Sequence, residues 1–329
     1  FVLALTLAGC GEPVEPKPIT GEAGSAPEFI GEPAVARPIA VSIPPHPFMS
    51  QQGLNAMHAD GYSSDVHPGG GPLGRNIRMN SRVGITGAPG GQCATLTFDS
   101  EHRLVALCAA MTGFRLHLIE PRSLRLLAEY KLPIRPSTYD SLIHRDKSYI
   151  MQDSSGAYFY LDNEDRVVMA ASDQSIRRIS HQQDSSGNWF FTTEDSWDLS
   201  AEVPHDCTTP FNWEPEGECD PITAVMPDHS GLIWWVTRRG RLGTLNPETG
   251  KVLAIRLDNE EIQNGFSVAA DGVYIVSDHA MYRFFADDNE APQIGWREAY
   301  DRGTSRKVGT INQGSGTTPS LIGDDYVTV

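Results

Sequence analysis

The sequence predicts an all-β protein made of repeated four-stranded units, and three observations point to it. Short runs rich in Val, Ile, Phe, Tyr and Trp recur with polar turns between them, as in residues 222–236, and no helical period is sustained across the repeats. Acidic turn residues recur at Asp99, Asp146, Asp184, Asp228, Asp271 and Asp324, with gaps of 47, 38, 44, 43 and 53 residues. A second series of turns has the same spacing. Residues 118–128 align with 244–254, residues 160–170 fall between them, Glu120 to Asp162 is 42 residues, and Asp162 to Asn246 is 84. A four-stranded unit of this length is the blade of a β-propeller, which hides strand edges by radial repetition.

On this phase the blades begin near residues 93, 139, 176, 220, 263 and 317, so about six are expected. The last reaches Val329 after a strand or two. Either residues 41–92 supply closing strands, or a natural chain of seven or eight blades continues beyond Val329; the spacing favours the second. The expected organisation is residues 1–10 as the remnant of a signal segment, 11–45 as a tether, 46–92 as an irregular lid or closing segment, and 93–329 as the propeller.

The first ten residues supply the signal reading. Phe1 to Leu7 form an apolar run too short to span a bilayer, which takes about 20 residues. The run leads into Leu7, Ala8, Gly9 and Cys10, which resembles the lipobox of bacterial lipoproteins. The resemblance implies that Cys10 carries a diacylglyceryl anchor and places the protein in the bacterial cell envelope. Residues 11–45 are rich in Pro, Glu, Gly and Ala, too polar to bury a core, and suit a leash between anchor and domain.

Charge and cysteines agree with that location. With 26 basic and 42 acidic residues the formal charge is −16, so a phosphate backbone is repelled and nucleic acid is not an expected partner. Four of the five cysteines remain once Cys10 is set aside, an even number in a compartment that permits disulfides. Cys93 and Cys108 flank two β-like runs and face each other if Phe98 faces Arg103 across the turn. Cys207 and Cys219 bracket a loop rich in Pro, Glu and Gly. A zinc site is the rival reading, but neither pair has the short Cys-x-x-Cys spacing such sites favour.

The repeats resemble a broad group of bacterial propellers that includes YVTN-type, quinoprotein-type and gluconolactonase-like domains, most clearly in the hairpin Leu245-Asn246-Pro247-Glu248-Thr249-Gly250-Lys251-Val252. This pattern encodes a turn, with Asn-Pro to start it and Gly to supply a positive φ. Asn264-Gly265, followed by Asp271-Gly272, Tyr274 and Ser277-Asp278, resembles the segment of gluconolactonase-like hydrolases whose Asn ligates an axial metal. Asp220 and Thr317 hold the same phase as Asn264 in neighbouring blades. The resemblance implies oxygen ligands converging on the axis, which suit Ca²⁺. The plainer reading is that Asp220 and Asn264 hydrogen-bond loop backbone.

A second group precedes the repeats, where His58, Asp60, Asp65 and His67 fall within ten residues beside Tyr62 and a glycine-rich stretch. His and Asp both ligate divalent ions, and His titrates near neutrality, so a metal site or an acid–base pair is one reading and a solvated loop the other. His144, His181 and His279 read as structural, and Trp234, Trp235 and Trp296 as blade packing. No Gly-x-Ser-x-Gly elbow, phosphate-binding glycine loop or haem attachment motif is present. The expected function is an envelope-anchored module binding a protein, glycan or small molecule. An axial Ca²⁺-dependent lactone or ester hydrolase is the alternative, and a quinoprotein-type dehydrogenase a lesser one.

Overall fold

The computed structural model describes residues 43–67, 92–110, 113–302 and 313–329, all within one compact unit from Ile43 to Val329. Cys10, the tether before Ile43 and the glycine-rich part of the polar segment lie outside the described residues.

The first sheet comprises β1 (Gln92–Phe98), β2 (Leu104–Ala110), β3 (Gly113–Ile119) and β4 (Leu126–Lys131). Two short helices follow, α1 (Pro136–His144) and α2 (Ser148–Met151). The second sheet is β5 (Tyr160–Leu161), β6 (Val167–Ala170), β7 (Ser175–Gln183) and β8 (Trp189–Asp198). The third is β9 (Ile222–Pro227), β10 (Ile233–Thr237), β11 (Arg241–Leu245) and β12 (Val252–Arg256). The fourth is β13 (Ser267–Ala269), β14 (Gly272–Val276), β15 (Ala280–Ala286) and β16 (Pro292–Ala299), and β17 (Ser320–Ile322) with β18 (Tyr326–Thr328) forms a two-stranded fifth. Each four-stranded sheet is an antiparallel meander in chain order. This is a β-propeller of four-stranded blades. Burial follows the radius: β9 and β10 are wholly buried, β12 only partly, and β16 is largely exposed.

Among the described residues there are thus five sheets where six blades were expected, and the starts near 139 and 176 do not stand. Residue 139 lies in α1 and residue 176 in the third strand of the second sheet. The cause is local. The turns opened by Asp99, Asp162, Asp184, Asp228 and Asp287 share one design, in which the carboxylate accepts the backbone N–H groups two and four residues on. The residue three on takes a positive φ in each: His102, Asp165, Gly187, Gly231 and Glu290. Asp99, Asp162 and Asp228 turn the first hairpin of their blades, whereas Asp184 and Asp287 turn the last. Asp146 follows α1 and turns no hairpin. The true first-hairpin spacing is 63 residues from Asp99 to Asp162 and 66 from there to Asp228, lengthened by α1 with α2 and by the loop around Cys207.

Both expected disulfides are present, Cys93–Cys108 and Cys207–Cys219. The first joins facing positions of β1 and β2, but Phe98 pairs with Leu104 rather than Arg103. A register shift between Cys93 and Thr95 absorbs the extra residue. Trp234 and Trp235 are buried in the main core cluster, where a Cβ on Gly243 would stand 2.4 Å from the Trp235 ring.

The irregular segment from residue 43 to 67 lies along the innermost strands. The backbone N–H groups of Phe98, Leu161, Val268 and Leu321 donate to the carbonyls of Leu54, Asn55, Gly61 and Tyr62 at 2.6–3.0 Å. Four inner strands therefore satisfy backbone groups on one segment. Met49 is wholly buried in the same cluster as Trp234. His46 and Phe48 sit at the β9–β10 turn, where the His46 and His229 rings are 4.3 Å apart and a Cβ on Gly231 would press on Phe48.

Candidate functional site at the axis

The loops leading into the innermost strands meet the axial segment at its other end, around Tyr158. Its hydroxyl donates to Asn264 Oδ1 at 3.3 Å, and its ring lies 6.1 Å from that of His58. Gly265 is required by this packing, since a Cβ there would stand 2.6 Å from the Tyr158 ring. Burial raises the Tyr158 pKa, so the phenol is neutral and available to donate. His58, Ser63, Tyr158, Gly265, Phe266 and Thr318 help enclose a cavity of about 10 Å³, room for about one water-sized group. Asn264 Nδ2 is buried without a hydrogen-bond partner among the described residues, and the Thr318 side chain is within hydrogen-bonding reach of the Tyr158 hydroxyl.

His58 and Asp65 are brought together, with His58 Nδ1 3.2 Å from both carboxylate oxygens of Asp65. Three non-glycine residues of this segment, Ala59, Ser63 and Asp65, take positive φ values, so the chain here is tightly coiled rather than extended. Asp60 serves that coil: its Oδ1 accepts the Tyr62 N–H at 2.9 Å and its Oδ2 the Ser64 hydroxyl at 2.5 Å. Burial nonetheless raises the Asp60 pKa, the hydrogen bonds from Ser64 and Tyr62 opposing it. His67 is exposed.

The candidates thus divide. His58, Asp65 and Asn264 gather around Tyr158, and exposed Thr317 borders the group next to buried Thr318. Asp220 stands apart. It is fully buried, and its carboxylate accepts from Arg241 Nη1 at 2.8 Å, Thr237 Oγ1 at 2.7 Å and Arg239 N at 2.9 Å, fixing the start of β9 to the β10–β11 turn. Among the described residues no three His, Cys, Asp or Glu side chains come together to hold a metal ion. His181 ties the second blade to the first through Asp99 Oδ2 at 2.9 Å, His279 pairs with Asp278 and Arg302, and His144 stacks on Tyr149. Tyr158 and Thr318 carry no signal in the sequence that sets them apart from other strand-flanking residues. Only the radial arrangement brings them to His58.

No protein-family model matches the chain, and comparison with curated proteins finds no match. Among solved structures, the Myceliophteria thermophila Cps50 (Swd1) β-propeller domain is similar at 11% identity with a TM-score of 0.37, over 62% of this chain and 53% of that one. A Lactobacillus plantarum protein is similar at 11% identity with a TM-score of 0.38, over 64% of this chain and 56% of that one. The chain spans little more than half the length of each.

Proposed function

We propose that this protein is a ligand-binding propeller anchored in the bacterial envelope through Cys10, and that the ligand is recognised at the axial cluster around Tyr158. The observation that carries the reading is the buried amide nitrogen Asn264 Nδ2, without a partner among the described residues, on a side chain whose Oδ1 accepts from Tyr158, itself a wall of the water-sized cavity. A buried donor left unsatisfied costs about 1–3 kcal/mol, so native sites supply it with a partner. The cavity admits one hydroxyl or carbonyl group, and the body of the ligand then rests outside it against Thr317 and the His58–Asp65 pair. A small polyhydroxylated or carbonyl-bearing molecule fits that description. The lipobox, the leash and the two disulfides support the envelope location.

The hydrolase reading is less well served. Asp220 is committed to Arg241, and Asn264 Oδ1 already accepts from Tyr158. One water-sized space does not hold a metal ion, a substrate carbonyl and an attacking water together. The test is thermal denaturation of the protein from residue 11 onward against monosaccharides, polyols, lactones and divalent cations. We expect one organic class to raise Tm, with affinity at least tenfold lower for both Asn264→Ala and His58→Ala. A ligand that both variants bind as well as the wild type would overturn the axial assignment. Bound calcium lost in Asn264→Ala, together with loss of lactone hydrolysis, would establish the hydrolase instead.

A further inference from the structure

A second feature, away from the axial cluster, is the loop closed by Cys207–Cys219. It lies between β8 and β9 and presents Phe211, 97% exposed, and Trp213, 61% exposed. Both are large aromatics with little packing role in their own chain, in a loop held firmly from inside. Asp206 Oδ1 accepts the Asn212 side-chain amide at 3.0 Å, and its Oδ2 accepts the Gly217 N–H at 2.6 Å. Thr209 and Asn212 exchange backbone hydrogen bonds at 2.9 and 3.2 Å, which puts Pro210 and Phe211 at the tip of a tight turn. Trp213 Nε1 donates to the Pro210 carbonyl at 2.8 Å, so its ring is oriented as well as exposed. Thr208 Oγ1 donates to Asp140 Oδ1 at 2.5 Å and braces the loop on α1, whose Leu142 is 71% exposed.

Rigid aromatics displayed on a preorganised loop are the residues that dominate binding energy at protein interfaces, because little entropy is lost when they dock. The rim decides the partner. Glu214 and Glu216, both exposed, follow the two aromatics within the same disulfide-closed loop. Two copies of a chain of formal charge −16 repel each other, and an anionic lipid surface repels these carboxylates. We infer that Phe211 and Trp213 anchor this protein to a partner polypeptide with an apolar surface bordered by Lys and Arg. Charge complementarity then speeds encounter and the aromatic contacts set the lifetime of the complex.

The probe is a random twelve-residue peptide library selected on the full chain, with the Phe211→Ser/Trp213→Ser protein as counter-target. We expect selected peptides to combine Lys or Arg with apolar residues and to bind the double variant at least tenfold more weakly. Binding should also weaken in Glu214→Gln/Glu216→Gln and with added salt. Both rings are exposed, so the double variant should melt within a degree or two of the wild type, which separates lost binding from lost folding. Selection of no peptides that distinguish the two proteins, or of peptides lacking positive charge, overturns the inference. So does wild-type sedimentation with phosphatidylglycerol vesicles, or dimerisation, that the double variant lacks.

Discussion

At the scale of single residues, the axial cluster depends on one glycine. Gly265 leaves room for the Tyr158 ring, and the ring positions the phenol on Asn264. Replacing Gly265 by Ala forces a methyl to 2.6 Å from the ring, closer than carbon atoms approach, so Tyr158 must rotate or the loop must shift. We expect Gly265→Ala to cost about 1–3 kcal/mol, as overpacking does, and to abolish ligand-induced changes in Tm. Urea denaturation and the ligand melts measure the two effects separately; wild-type behaviour in both would show that the glycine is not needed there. The Asp turns make the opposite point. Asp99 and Asp184 do the same thing with the same atoms, although one opens a blade and the other closes one.

At the scale of elements, the loop from Cys207 to Cys219 shows what a disulfide adds to a segment with little core of its own. A loop of this size carries about 3 kcal/mol of closure entropy, and the contacts of Asp206 and Thr209 hold it only while the ends stay together. In Cys207→Ser/Cys219→Ser, chymotrypsin should cut after Phe211 and Trp213 at least ten times faster than in the wild type. Gel analysis with mass assignment of the fragments reads this directly. An unchanged rate would mean that Asp206 and α1 suffice.

At the scale of the whole molecule, the segment from residue 43 to 67 makes stability depend on pH. His46 is buried, and burial and then the neighbouring His229 push its pKa down to about 3. The unfolded chain takes up a proton near pH 6.5 that the folded chain refuses until about pH 3. Stability due to this group is therefore present above pH 6.5 and falls as the pH drops through that window, by about 1.4 kcal/mol per pH unit. Burial raises the Asp60 pKa and works the other way, since its cost is relieved as the pH falls. Urea unfolding at pH 7 and pH 5 should show the wild type losing stability and His46→Leu losing much less. Parallel losses would place the acid sensitivity elsewhere.

Much of this protein was legible in its residues, and the limit has a physical form. Strand runs, Asp turns and the facing cysteines are local, since each is set by atoms a few residues apart, so Cys93–Cys108 and the hairpin at Asn246 could be read directly. Which hairpin belongs to which position in a blade is not local. The same Asp turn serves the first and last hairpins, and α1 with α2 adds chain between the first two sheets without adding a strand, so the phase breaks at residue 139. The segment around His58 reads from its residues as a metal site, an acid–base pair or a solvated loop. Its backbone polarity is what the inner strands use, through the carbonyls of Leu54, Asn55, Gly61 and Tyr62. The sequence by itself determined the repeating four-stranded units and the two disulfides. Only the tertiary structure decided that His58, Asp65 and Asn264 meet at Tyr158 while Asp220 does not, because convergence on an axis is a property of how sheets stack around it and of no single stretch of chain.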